Sequence, residues 1–156
     1  MTQLVDRGGW PVGLDIDYES DEEVAAIGAL TAEARAFVDA ATWSMPVEDL
    51  VFAFGVAPIL GLYLLRFLPG GRPEDCERWV VVGDLPFMHF ETDDTPTPAL
   101  ALQLYCAIAQ DWADNVMDGH DLSESYPIPV APTREYAEML LGRVDFIRTR
   151  LIPLAQ

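Results

Sequence analysis

The segment 50–92 constrains the fold of this chain more than any other. Its apolar runs are short, and Gly and Pro residues separate them, which is the pattern of buried strands and not of long helices. The four runs cover residues 51–54, 60–68, 79–82 and 87–92. Turn residues at 55–58 and 83–86 join them in pairs. Strands that follow one another through such links predict an antiparallel four-stranded meander.

A first helix is predicted over residues 20–44. Ser20 followed three residues later by Glu23 is a capping box, which marks a helix start, and Pro46 lies beyond the helix end. The apolar residues of this segment recur on one stripe about 100° wide. They are Ile27, Leu30, Ala34, Phe37, Val38 and Ala41. Before the helix, part of the segment 1–19 alternates apolar and polar residues, which predicts a strand or an extended arm.

A second helix is predicted over residues 97–118. Thr97 and Pro98 have the residue types of an N-cap and a first helical position, and Gly119 has that of a helix end. The apolar residues of this helix spread over an arc of about 220°. So wide an apolar face predicts a helix that is buried on most of its surface.

A third helix is predicted over residues 133–151, with Thr133 as its N-cap. Its expected apolar stripe is Tyr136, Leu140, Val144, Ile147 and Leu151. Taken together, these patterns predict an α+β fold in which the antiparallel four-stranded meander is packed against about three helices. The length of 156 residues predicts one domain over 1–156.

The charge of the chain limits its partners. It has 26 acidic residues against nine basic ones, all of them Arg, and a formal net charge of −17. Such an excess repels nucleic-acid phosphates and anionic lipids, so we expect neither nucleic acid nor a membrane as a partner. Solubility alone is the alternative reason for a high net charge. The use of Arg without Lys, with many Ala, Gly and Pro residues, is typical of a GC-rich bacterial genome.

The sequence predicts a cytoplasmic protein. It opens without a basic start followed by an apolar run, as a signal peptide would have. The most apolar stretch, 51–65, is shorter than the roughly 20 residues that a membrane span needs. Two cysteines, Cys76 and Cys106, are too few for a disulfide framework. The motifs of common hydrolases, nucleotide-binding proteins and zinc proteases do not occur, so we expect no catalytic residues and no cofactor.

One set of residues has the chemistry of a weak metal site. His89, Glu91 and Asp93 alternate along the predicted fourth strand, so their side chains are expected on one face. An imidazole and two carboxylates can hold a divalent metal, but no fourth ligand is evident. In the alternative, His89 and Glu91 form the solvated face of a strand that buries Met88 and Phe90.

A second set has the character of a partner-binding surface. Asp111, Asp114 and Asp118 fall within about 60° of one another on the predicted second helix, and Asp121 follows it directly. These acids lie towards the helix C-terminus, where the helix dipole disfavours anions, and Asp114 and Asp118 are a like-charge pair one turn apart. The cost is only a few tenths of a kcal/mol per pair, so a merely solvated face is the alternative.

Charge is also separated along the chain. Residues 79–133 contain nine acids and no Lys or Arg, whereas four Arg residues follow within 134–150. The two blocks are expected to face each other within the fold, or to pair two copies of the chain.

Three functions follow as hypotheses. The leading one is a small acidic bacterial protein that docks a basic protein partner without catalysis, as an immunity or regulatory protein would. The second is a metal-assisted enzyme that uses His89, Glu91 and Asp93, or alternatively Asp111, Asp114 and Asp118 with His120. The third is a structural subunit of a homo-oligomer, so that the chain is expected as a monomer or a homodimer.

Overall fold

The computed structural model describes residues 21–43, 46–68 and 77–156. The predicted strand or arm in 1–19 and the Ser20 cap lie outside these ranges. Within them the chain forms one four-stranded antiparallel sheet and three main helices, which confirms the predicted α+β class. The chain divides into two compact units, Met1–Thr97 and Pro98–Gln156.

The first unit contains the sheet and one helix. Helix α1 is Asp21–Ala40, and the strands are β1 (Val47–Val56), β2 (Leu60–Phe67), β3 (Glu77–Gly83) and β4 (Met88–Glu91). Each strand pairs antiparallel with the next, so the order in the sheet is β1-β2-β3-β4. The predicted meander is therefore confirmed.

Helix α1 packs on one face of this sheet through the stripe predicted from the sequence. Four of its apolar residues are buried: Ile27, Leu30, Ala34 and Val38. They join a core with apolar residues of three strands: Leu50, Phe52, Tyr63, Leu65, Phe67, Val80 and Val82. Burying a side chain of this size stabilises the fold by about 1.5–3 kcal/mol, so this interface is the main reason for the helix to form here.

The opposite face of the sheet is also buried. Its side chains alternate with those of the α1 face along the same strands: Leu62, Leu64, Trp79, Val81, Met88 and Phe90. The indole nitrogen of Trp79 donates to the carbonyl oxygen of Thr95 at 2.9 Å. Strands that are buried on both faces need apolar residues at nearly every position, which explains the continuous runs in the sequence.

The first hairpin differs from the prediction at both ends. β1 begins at Val47, upstream of the predicted run, because its charged residues Glu48 and Asp49 lie at the accessible start of the strand and break the apolar pattern. Gly55 belongs to β1, and the turn follows it, with the amide of Ile59 donating to the carbonyl oxygen of Val56 at 2.8 Å.

The second unit is helical. It contains α2 (Pro98–Asp118), α3 (Arg134–Phe146), a π-helical turn (Ile147–Leu151) and α4 (Ile152–Ala155). Thr133 is the N-cap of α3, as predicted, and its hydroxyl accepts a hydrogen bond from the amide of Tyr136 at 3.2 Å. The π turn ends at Leu151, two residues before Pro153, which lacks a backbone N–H and therefore cannot donate an α-helical hydrogen bond to the preceding turn.

Helix α2 ends at Asp118, and Gly119 follows it as the predicted stop. Gly119 has a φ of 70°, its amide donates to Val116, and the amide of His120 donates to the carbonyl of Asn115 at 2.8 Å. These two bonds form a Schellman motif, which satisfies carbonyls that the helix end leaves without partners. None of the helices in the described ranges is both long and apolar enough to cross a membrane.

Candidate functional site

The three residues considered for a metal site do not share one strand face. His89 and Glu91 lie on β4, but the strand ends at Glu91, and Asp93 lies in the turn that follows. Glu91 and Asp93 are exposed, whereas His89 is half-buried. In the described part of the chain, no group of three His, Cys, Asp or Glu side chains is placed to hold a metal ion. The metal-assisted enzyme stays a prediction, and no cluster of potential ligands among the described residues supports it.

His89 has partners that the sequence did not indicate. The Nε of Arg78 donates a hydrogen bond to its Nδ1 at 2.9 Å. The ring of Trp43 lies 4.9 Å away between centroids, and that of Phe37 lies 5.9 Å away. Burial, followed by the charge of Arg78, lowers the pKa of His89 below its ordinary value of 6.5. The imidazole is therefore neutral in the folded protein at neutral pH.

The four acids proposed for partner binding are all exposed in the second unit. Asp111, Asp114 and Asp118 lie on α2, and Asp121 lies in the loop after it. Since residues three and four apart share one side of a helix, the first three side chains leave α2 in a similar direction. We call these four residues the α2 acidic face.

A hydrogen-bonded loop orients the first of these carboxylates. The hydroxyl of Ser125 donates to Oδ2 of Asp111 at 2.9 Å, and the side-chain amide of Asn115 donates to the same hydroxyl oxygen at 2.9 Å. Nδ1 of His120 and Oδ1 of Asn115 are 3.3 Å apart. These contacts hold the loop against the last two turns of α2.

Neutral donors also hold two of the other carboxylates. Nε2 of Gln110 donates to Oδ1 of Asp114 at 2.9 Å. The backbone amide of Ser123 donates to Asp121 at 3.0 Å and its hydroxyl donates at 2.9 Å; these two bonds lower the pKa of Asp121. Amides and hydroxyls orient a carboxylate without cancelling its charge. The donors that hold Asp114 and Asp121 are therefore neutral groups and form no ion pair with them.

Two Arg residues of the last quarter, Arg134 and Arg148, bond groups other than these four carboxylates. Arg148 donates to Oε1 of Gln110 at 2.9 Å, so it bonds an amide beside Asp114 and not the carboxylate. Arg134 forms an ion pair with Glu138 on its own helix at 3.1 Å. Across the described ranges, no ion pair includes a member of the α2 acidic face. Pairing of the acidic and basic blocks within the fold is not seen at these positions.

The sequence identified the acids of this surface but missed the residues that position them. Asp121 and Ser123 have the spacing of a local side-chain to backbone turn, which was a usable signal. The contact between Ser125 and Asp111 spans 14 residues and depends on how the chain turns at Gly119. No short-range pattern contains that information.

Comparison of the chain with protein-family models, with curated proteins and with solved structures found no match. A function therefore has to be inferred from the geometry and chemistry of these residues.

Proposed function

We propose that this protein is a non-enzymatic binding module that docks a basic protein partner on the α2 acidic face. The observation that supports the proposal most directly is that the four carboxylates are exposed and free of ion pairs in the described structure. Three of them are oriented by neutral donors. Such carboxylates can accept hydrogen bonds from Lys and Arg side chains of another protein.

The acids of this surface destabilise α2 only slightly, so the size of the energetic cost does not by itself indicate a function. Their position at the C-terminal end of α2 is what favours a role in binding. Like charges one turn apart and anions at a helix C-terminus each destabilise a helix slightly. A bound basic partner would offset both the repulsion between the acids and the unfavourable helix dipole, because its cations would lie close to the carboxylates and to the partial negative charge of the helix end. The field of a chain with net charge −17 also accelerates encounter with a cationic surface.

The proposed place of action is the bacterial cytoplasm. Two cysteines are too few for the disulfide framework of a small secreted domain, which favours a reducing compartment. Burial raises the pKa of the free Cys106 thiol to about 11 and keeps it unreactive. A regulatory or immunity-like protein that neutralises a basic protein fits this setting.

The proposal is tested with two variants of equal charge. The first replaces Asp111, Asp114 and Asp118 with Asn. The second replaces three exposed acids of α1 with their amides: Glu22, Glu33 and Asp39. Tagged wild-type protein and both variants are used to capture partners from the native cell at about 50 mM salt, and the Kd of any captured protein is then measured by calorimetry.

We expect the first variant to lose binding by at least tenfold, while the α1 variant binds within about twofold of the wild type. Equal losses in both variants would show that binding follows net charge and not this surface. A wild-type chain that retains no basic protein at low salt would remove the proposal.

A further inference from the structure

Helix α3 and the π turn after it have an exposed side that contains large apolar residues. The backbone stays helical through the turn, since Phe146, Ile147 and Ile152 all have helical φ and ψ values. The buried residues of this segment recur at intervals of three and four: Ala137, Leu140, Val144, Ile147 and Leu151. The residues one position earlier recur at the same intervals and therefore share a second side of the helix: Tyr136, Met139, Arg143, Phe146 and Arg150. We call these five residues the outer α3 face.

The apolar residues of the outer α3 face are accessible. Tyr136 is 45% exposed, Met139 is 61% exposed and Phe146 is half-buried. Single exposed apolar residues are common on protein surfaces, but a row at intervals of three and four is the pattern of a helix that packs against another helix. Tyr, Met and Arg are also enriched in the cores of protein–protein interfaces. The outer α3 face therefore has the composition of an interface.

The charge of this segment favours a second copy of the chain as the occupant of the face. Residues 134–156 contain four Arg and three acids, whereas the rest of the chain contains five Arg and 23 acids. Two copies of so acidic a chain repel each other. The repulsion is smallest where acids do not outnumber Arg residues, and the outer α3 face lies in that segment.

The order of charges along the segment sets the direction in which two copies would pair. Glu135 lies one turn before Met139 at one end of the face, and Arg150 lies at the other end. Both are exposed, and neither forms an ion pair in the described ranges. At 1.5 Å per residue they are about 22 Å apart, so they cannot pair within one chain. In an antiparallel pair of helices each Glu135 lies beside Arg150 of the other copy, whereas a parallel pair places like charges together.

Gly142 lies near the midpoint of such a pair. It is exposed, and a Cβ atom added there would meet nothing within 4 Å, so no contact within the described chain requires a glycine. A helix interior disfavours glycine, but the missing side chain lets the backbone of a second helix approach closely. Met139 and Phe146 lie on either side of this point, so Met139 of one copy would pack against Phe146 of the other.

We propose that the outer α3 face pairs two copies of this chain through an antiparallel α3–α3 contact about a twofold axis near Gly142. The contact is isologous, because each copy contributes the same residues and each Glu135 meets Arg150 of the other copy. It uses no residue of the α2 acidic face, so it is independent of the proposed docking of a basic protein. One helix face buries less area than a standard interface, so the dimer is weak and forms at concentrations on the order of 100 μM.

Sedimentation equilibrium of the full chain tests the pairing. In about 0.15 M NaCl, which screens the overall repulsion, we expect the weight-average mass to rise from 17.3 kDa at about 5 μM towards twice that value at about 500 μM. A mass that stays at 17.3 kDa over this range would overturn the proposal.

Charge reversal tests the antiparallel direction. Glu135→Arg places two cations together at each end of the contact, and Arg150→Glu places two anions together, so each variant should weaken the dimer about tenfold. The double variant has the net charge of the wild type and restores opposite charges across the contact. It should therefore dimerise within about threefold of the wild type. A double variant that dimerises as weakly as the single variants would contradict the antiparallel contact.

Thermal unfolding separates this rescue from an effect on the helix itself. Both substitutions oppose the dipole of their own helix, so the double variant should be the least stable of the three while it dimerises best. Because the two positions are too far apart to pair within one chain, restored dimerisation requires the second copy.

Two substitutions of the same kind test the apolar part of the contact. Met139→Gln changes the outer α3 face, and Leu68→Gln changes a side chain outside it that is 43% exposed. We expect Met139→Gln to weaken the dimer by about fivefold or more and Leu68→Gln to leave it unchanged. Equal effects of the two substitutions on the dimer would show that the copies do not meet through this face.

Discussion

Gly83 shows how strongly a single backbone position restricts the residue that occupies it. It ends β3 with a φ of 134°, and a Cβ atom placed there would lie 2.3 Å from the carbonyl oxygen of Ile59. The positive φ of Gly83 and the short distance to Ile59 each exclude a side chain. The atom that a side chain would meet belongs to the backbone of Ile59, which can move aside only at a high energetic cost.

Gly83→Ala is therefore expected to destabilise the protein by at least ~2 kcal/mol. The matched control is Gly142→Ala in α3, where a Cβ meets nothing within 4 Å and the φ is ordinary. That change should stabilise by about 0.5–1 kcal/mol, because alanine loses less entropy in a helix. Urea denaturation measures both. Similar effects of the two substitutions would show that the turn at Gly83 is not constrained as described.

His89 links stability to pH. Its pKa is lowered in the folded chain, so between that value and the unfolded value near 6.5 the unfolded state binds more protons. Stability is therefore fully present above pH 6.5 and is lost as the pH falls through the folded pKa. We expect the free energy of unfolding of the wild type to decline across this window, and that of His89→Gln to stay flatter. Urea titrations at half-unit pH steps measure this difference. If His89 is not the cause of the pH dependence, the free energies of unfolding of the wild type and of His89→Gln will change with pH at the same rate.

Single residues also show what a sequence can and cannot predict. The exposure of Asp111 and Asp114 follows from helical periodicity, and the structure agrees with it. The position of His89 does not, because alternation along β4 predicts a solvated side chain there. It is half-buried because Phe37 and Trp43, which are distant in sequence, contact its ring. Contacts of this kind depend on the tertiary fold.

At the scale of elements, α1 has acids in both its first and its last turn, whereas α2 has none in its first turn and one at its last residue. Glu22 lies in the first turn of α1, where the positive end of the dipole favours an anion. Asp118 is the last residue of α2, where the negative end disfavours one. Helix α3 follows the dipole rule, with Glu135 in its first turn and Arg143 in its last turn. An element that breaks a rule that another element follows is a reasonable place to look for function.

Asp118→Lys is expected to raise the free energy of unfolding by about 0.3–1 kcal/mol, because a cation replaces an anion at a helix C-terminus. Glu22→Lys is the matched control, with the same change in net charge and the opposite effect on its helix dipole. It should destabilise by a similar amount. Thermal unfolding at low salt compares them. If both variants gained stability equally, relief of overall repulsion and not the helix dipole would be the cause.

The stability of Asp118→Lys also bears on the proposed function. A residue that costs stability and is kept for binding should, when replaced, give a more stable protein that binds its partner less well. A partner that binds Asp118→Lys as tightly as the wild type would show that this end of α2 lies outside the interface.

The elements themselves were predicted with unequal success. Short apolar runs between Gly and Pro predicted four strands, and capping residues predicted the starts of α2 and α3. The stripe of α3 was predicted to include Tyr136, which is 45% exposed, whereas the neighbouring Ala137 is fully buried. A pattern drawn from large apolar residues misses an alanine that packs against its surroundings through close approach. The π turn before Pro153 was also missed, since the apolar stripe continues through it.

On the scale of the whole molecule, the pattern of apolar residues predicts the fold class but not the division of the chain into compact units. Punctuated apolar runs followed by two amphipathic segments are sufficient to indicate α+β. The division into compact units at Thr97 leaves no trace in composition, because no stretch rich in Gly, Ser or Pro longer than a few residues marks it. The single domain over 1–156 stays a prediction.

Net charge is the property that acts on the whole molecule at once. With 26 acids against nine Arg, most charge pairs in the folded chain repel each other. Two like charges 10 Å apart cost roughly 0.4 kcal/mol in water, and salt at about 0.1 M reduces such a term because the screening length is also near 10 Å. The same salt screens the attraction of the α2 acidic face for a basic partner. Folding and binding are therefore expected to respond to salt in opposite directions.

We predict that raising NaCl from about 50 mM to about 500 mM stabilises the folded chain by on the order of 1–2 kcal/mol and weakens partner binding by at least tenfold. The α1 variant with amides at 22, 33 and 39 has less internal repulsion, so it should gain less stability from salt while its binding weakens as much as that of the wild type. Urea midpoints and Kd values over one salt series measure both effects. If salt left the urea midpoint unchanged, the acids would be spaced too far apart to repel each other. A Kd that did not change with salt would mean that the partner recognises something other than charge.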